Sequence, residues 1–131
     1  MRFTENELTL AVTAAAKTVL AARKDVRRRR QDVDEAWEAL TRYQRYQLLD
    51  GVGGQILSVL VALPDVEVES GTRPTFTDQQ IRETVESVVG DGLGRVRRAV
   101  TLAARVALVT SALAGLPPRQ DPDALTVPDH L

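Results

Sequence analysis

Apolar residues recur through the first fifty positions at alternating steps of four and three: Leu8, Val12, Ala15, Val19, Ala22, Val26, Arg29, Val33, Ala36, Leu40, Tyr43 and Gln47. Ten of these twelve are apolar or aromatic, the spacing of a single helix face. No Gly or Pro precedes Gly51, so nothing in this stretch obliges a helix to stop. The pattern predicts either one helix over about 5–49, roughly 68 Å long at 1.5 Å per residue, or a helical hairpin. Asp32 with Glu35 three residues later forms an N-cap pair and Arg29 interrupts the seam, which favours a break near Arg27–Gln31.

Two segments carry the same helix-starting device. Phe3-Thr4-Glu5-Asn6-Glu7-Leu8 and Phe76-Thr77-Asp78-Gln79-Gln80-Ile81 each place a Thr cap, a Glu or Gln at the third helical position, and a Phe able to staple onto the fourth. Asp50-Gly51-Val52-Gly53-Gly54 is expected to interrupt the first helical region. A short buried helix is expected over about Gly54–Leu63, closed by Pro64, and Val66-Glu67-Val68-Glu69 alternates as one short extended segment would. Helices over about Asp78–Val89 and Arg95–Ala114 follow, separated by Gly90-Asp91-Gly92-Leu93-Gly94. The fold class expected is therefore all-α, with four or five helices and a nearly fully apolar helix at 95–114 as its centre. Leu8, Val12, Val19, Trp37, Leu40, Ile56, Leu60, Ile81, Val85, Leu102, Val106 and Leu113 continue the apolar faces and form the expected core.

Composition narrows this picture. With 131 residues, 44% hydrophobic and 27% charged, the chain is one globular domain's worth of polypeptide. We expect a helical domain over 1–118 and a Pro- and Asp-rich tail over 119–131. There is no Cys, and the one His, His130, stands in that tail, which removes disulfides, thiolate metal sites and most nucleophilic triads. The amino terminus has no apolar signal run, and Val100–Leu116 is short for a membrane span and carries Arg105, so a cytoplasmic, non-membrane protein is expected. Fifteen of the seventeen basic residues are Arg, a usage typical of GC-rich bacterial genomes.

Net charge is only -1, but it is segregated. Residues 64–91 hold seven acids and two bases, a net of -5, whereas 92–118 hold four arginines and no acid. Arg27, Arg28, Arg29 and Arg30 form a second basic block, flanked by Asp25, Asp32, Asp34 and Glu35 and without an interleaved aromatic for base stacking. Arg98, Thr101 and Arg105 share one stripe of the apolar helix, where buried arginines need carboxylates, and Glu83 and Glu86 are the expected partners. Arg105 is expected to pair internally and Arg98 to be partly exposed. Tyr46 lies off the Trp37 face and is expected to be an exposed anchor for a partner. Tyr46 and Asp50 also fit a Tyr-x-x-x-Asp spacing used by type VII secretion substrates, but Trp37 is followed by Glu38-Ala39, so the Trp-x-Gly half of that pattern is missing.

Neither glycine cluster follows a strand or precedes a Lys-Ser/Thr pair, so neither is a phosphate or dinucleotide loop. No catalytic residue, cofactor or metal site is expected. The chain reads as a non-enzymatic protein-interaction adaptor, with Tyr46, Arg98, Arg105, Arg27, Arg28 and Arg30 as candidate partner-binding residues. Such a role would suit an accessory component of an actinobacterial regulatory or defence system. The alternative is a nucleic-acid-binding regulatory protein using Arg27–Arg30 and the arginines of 95–105. The Ala- and Val-rich seam, together with the Ala99, Ala103, Ala107 ridge, adds the expectation of a helix-mediated homodimer.

Overall fold

The computed structural model describes residues 1–119. It contains the helices α1 (Glu5–Ala21), α2 (Lys24–Arg28), α3 (Val33–Ala39), α4 (Arg42–Ala62), α5 (Asp78–Val89) and α6 (Arg95–Ala114). The fold is all-α. No strand occurs among the described residues, and Val66–Glu69 runs as irregular chain between α4 and α5.

Three helices start on the same local chemistry. Thr4, Thr41 and Thr77 each accept a hydrogen bond from the backbone N–H three residues on, while Glu7, Gln44 and Gln80 reach back to the cap's own N–H. The second of these boxes overrides the heptad seam. Leu40 is extended (φ -70, ψ 145), and Arg45 turns its guanidinium back onto the carbonyls of Leu40 (3.1 Å) and Glu38 (3.3 Å), closing α3 as α4 begins. The seam is thus cut three times, after Ala21, after Arg28 and at Leu40, rather than once near Arg27–Gln31. It is not a coiled-coil stripe, since Tyr43 is 66% exposed.

The expected break at Gly51–Gly54 does not occur, because α4 runs straight through all three glycines. Val52, Ile56, Val59 and Leu60 form a continuous buried stripe there, and burying these side chains outweighs the roughly 1 kcal/mol that each helical glycine costs relative to alanine. The α5 and α6 boundaries agree with those expected from the sequence.

α1 is the hub, packing against α6, α4 and α3, while α5 covers parts of α6 and α4. Leu20, Ile56, Val59, Leu60, Leu63, Val85 and Val109 are the largest fully buried side chains. Of the expected core, Leu8, Val19, Leu40, Leu102 and Val106 are partly buried against this cluster and the others are buried. Helix α6 is not central along its whole length. Its Arg98, Thr101, Arg105 stripe is half-buried, while Val96 (78% exposed) and Val100 (64%) face outward with Ala99, Ala103 and Ala107. Where α6 ends, Arg73 donates to the Ala114 carbonyl, and Gly115 passes so close to α1 that a Cβ there would collide with that of Ala14.

Candidate functional site

On α4 the alternating spacing continues as Tyr43, Tyr46, Asp50, Gly53 and Leu57, with Val61 one turn further. Tyr43, Tyr46 (62%), Leu57 (40%) and Val61 (57%) are the large exposed hydrophobic side chains of this helix. Between α4 and α1 lies an open groove of about 450 Å³, lined by Leu8, Thr9, Val12, Thr13, Leu49 and Leu57 with Glu5 at its rim. Gly53 lies close to two of the lining side chains, since a Cβ there would stand 3.5 Å from Leu57 and 3.8 Å from Val12. The groove is mainly apolar and walled by two helices, with Tyr43 and Tyr46 exposed on the preceding turns of α4. These are features of a surface that takes up an amphipathic helix.

Tyr46 stands where the sequence places it, on the surface. Tyr43, which the heptad spacing places on the apolar seam, is equally exposed. Its signal was the i, i+3 pairing with Tyr46 followed by Leu57 in heptad register. Trp37 is buried; Lys17 lies 5.9 Å from its ring centroid and bonds Asp34 at 3.0 Å, tying α3 to α1.

The arginines divide into three groups. Arg98 donates from Nε to the Gly90 carbonyl at 2.9 Å and lies 3.8 Å from Asp91, so it clasps the α5–α6 turn instead of meeting Glu83 or Glu86. Arg105 is half-buried and makes no ion pair or hydrogen bond among the described residues, so its expected pairing with Glu83 or Glu86 is absent. Its stem packs and its head reaches water. Arg27, Arg28, Arg29 and Arg30 are all exposed. Arg30 has φ +48 and takes the left-handed position that ends α2. There Arg30 N–H bonds the Arg27 carbonyl and Gln31 N–H that of Val26, both at 3.2 Å. The run therefore serves as a helix terminator, its four side chains splayed around the stop.

A site not anticipated from the sequence joins residues 112 positions apart. Arg119 Nε donates to Glu7 Oε2 at 2.9 Å and Nη2 to Glu7 Oε1 at 3.2 Å and to the Arg2 carbonyl at 2.8 Å. Its backbone also pairs with the turn after Glu69: Gly71 N–H donates to the Arg119 carbonyl, and Arg119 N–H to the Thr72 carbonyl, each at 2.7 Å. Burial pushes the Glu7 carboxyl up, but the hydrogen bond from Arg119, the Thr4 N–H and the Arg119 charge more than offset it and leave the group below its usual value. Arg119, the first residue of the expected Pro- and Asp-rich tail, is pinned; the rest of that tail, His130 included, lies outside the described residues.

Among the described residues no three His, Cys, Asp or Glu side chains are grouped to hold a metal ion, and no helix is long and apolar enough to cross a membrane. No protein-family model, curated protein or solved structure matches this chain.

Proposed function

We propose that this chain is a non-enzymatic protein-interaction module that receives an amphipathic helix of a partner protein in the α1–α4 groove. The observation that carries this reading is an open apolar groove walled in part by α4, whose exposed Leu57 lines it and whose Tyr43, Tyr46 and Val61 are exposed on the same helix. In this arrangement Leu57 and Val12 contact the partner's apolar stripe, and the tyrosine rings close over its end, supplying large contact area at low entropic cost. Because the groove's lining is mainly apolar, such binding is only weakly sensitive to salt.

A photo-cross-linking phenylalanine analogue placed at Tyr46, in cells of the source organism, tests it. Expected are protein adducts that persist through washing in about 0.5 M salt and vanish when Leu57→Glu is added. Adducts to nucleic acid that are lost with salt and depend on Arg27 and Arg28 would establish the nucleic-acid reading instead. No adduct at Tyr46, or adducts indifferent to Leu57→Glu, would reject the groove.

A further inference from the structure

Beyond Arg97 in its first turn, the outward face of α6 carries no charge. Val96, Val100, Ala103, Ala107, Thr110 and Ala114 all lie on it and all are exposed. A surface helix ordinarily turns its charged residues to water and its apolar ones inward. Helix α6 departs from this after its first turn: Arg95 and Arg97 are exposed there, but Arg98 and Arg105 are half-buried while two valines project into solvent. From the arrangement of this face we infer that it is a self-association surface, covered by α6 of a second copy running antiparallel about a two-fold axis.

Three features select that occupant. The first is self-complementarity in size. About the level of Arg105 the face is its own inverse, because Val96 stands as far to one side as Ala114 to the other, Val100 as Thr110, and Ala103 as Ala107. An antiparallel copy therefore sets each valine of one helix against a small residue of the other and brings alanine to alanine at the centre, where the backbones must approach most closely. The second is polar satisfaction. The Thr110 hydroxyl already donates to the Val106 carbonyl at 2.8 Å, so covering the face strands no donor.

The third feature is charge. Arg95 precedes Leu113 by eighteen residues, five full turns, and hence lies on the same flank of α6. On that flank Leu113, Thr110 and Ala114 line one cavity with Asp78, the first residue of α5, and with Arg73, whose guanidinium is engaged by the Ala114 carbonyl. Each copy thus presents Arg95 at one end of the face and the exposed Asp78 carboxylate, beside the engaged Arg73, at the other. An antiparallel two-fold contact brings Arg95 of each copy toward Asp78 of the second. A parallel one would set the two arginine-bearing ends side by side. The inference shares with the proposed function the premise that the chain acts through its surfaces, but its surface is a different one.

Sedimentation equilibrium on the full chain, from about 5 to 500 μM, is the test, with a dissociation constant on the order of tens of micromolar expected for a contact of one helix pair. Ala103→Glu should weaken dimerisation at least about 10-fold with an unchanged thermal melt, since Ala103 is exposed. Arg95→Asp should weaken it as well, and Asp78→Arg in the same chain should restore it. The protein has no cysteine, so introduced ones report register directly. Under oxidation Ala103→Cys and Ala107→Cys chains, mixed, should cross-link. Val96→Cys should not, because its copies stand about 27 Å apart in the antiparallel pair. Leu57→Glu should leave the dimer intact, which separates this contact from the α1–α4 groove. A monomer at 500 μM, a dimer indifferent to Ala103→Glu, or efficient Val96→Cys cross-linking would overturn the inference.

Discussion

Gly51-Val52-Gly53-Gly54 and Gly90-Asp91-Gly92-Leu93-Gly94 are near-equal in composition, yet the first lies inside the longest helix and the second separates two helices. In α4 the glycines fall between buried side chains, with Val52 (3% exposed), Ile56, Val59 and Leu60 continuing one inward stripe, so stopping the helix would expose more than the glycines cost. At the second cluster the inward stripe of α5 is spent by Val89, and Gly90 takes φ +69, ψ -164, a conformation almost closed to other residues. Arg98 then reaches back from α6 to the Gly90 carbonyl and holds the reversal. Glycine permits a break; the side chains around it decide whether one happens.

The largest expected effect tests the continuity of α4. Gly53→Pro removes one intrahelical hydrogen bond and clashes with the preceding turn, and should cost about 3 kcal/mol or more, read as a lost or greatly lowered thermal transition. If Gly53→Pro melts like the parent chain, the helix is already broken there.

A second glycine with positive φ, Gly71 (+82), is held from afar through Arg119 and Glu7. The capping boxes at Thr41 and Thr77 use Gln where the one at Thr4 uses Glu, so Glu7→Gln keeps the cap and deletes only the charge facing Arg119. With Glu7 buried and Arg119 partly exposed, we expect a cost of about 2 kcal/mol in denaturant titration near neutral pH. Because the folded-state pKa is lowered, the parent's stabilisation is fully present above its usual value of 4.5 and is lost as pH falls below it through the lowered one. Glu7→Gln should lie below the parent at pH 7 and converge with it in acid. Parallel pH profiles would remove the Glu7–Arg119 pair as a source of stability.

Next come the two parts of the α5–α6 reversal. Gly90→Ala has room for its Cβ but not the backbone conformation, and should cost between about 1 and 3 kcal/mol. Arg98→Ala leaves the turn its glycine but removes the guanidinium from a partly exposed carbonyl, for about 1 kcal/mol. The order of these two losses sharpens the comparison. If Arg98→Ala costs more than Gly90→Ala, the clasp rather than the glycine sets the break.

How far this was readable in the sequence follows the range of the forces. The starts of α1 and α5 are written in four consecutive residues, and the end of α5 in one glycine, so both were legible. Thr41–Gln44 carries the same signal, but the heptad spacing through Leu40, Tyr43 and Gln47 masked it, because periodicity alone does not show that Tyr43 faces water. Tyr46 was legible as a surface residue since it lies off the apolar face. The groove beside it was not, since Leu57 borders Leu8 and Val12 only once α1 and α4 are packed together. Arg98 was read as seeking a carboxylate on α5, whereas a backbone carbonyl freed by the turn lay closer. No local pattern could join Glu7 to Arg119.

The smallest effect is the most direct measure of what the α4 glycines do. Gly51 and Gly54 are exposed, have no atom within 4 Å of where a Cβ would stand, and lie in ordinary helical backbone. If α4 persists there because its inward stripe outweighs a local penalty, removing the penalty should stabilise the protein. Gly51→Ala and Gly54→Ala should each raise stability by between about 0.5 and 1 kcal/mol, a rise of a few degrees in Tm for a domain of this size. The pair should add nearly in full, since a methyl at either position meets no side chain of the protein, although the two stand one turn apart. The same substitution therefore has opposite signs in the two clusters, stabilising at Gly54 and destabilising at Gly90. A loss of stability at Gly51 or Gly54 would mean that the α4 glycines are there for a contact that the isolated chain does not make, and would direct attention to whatever approaches that face.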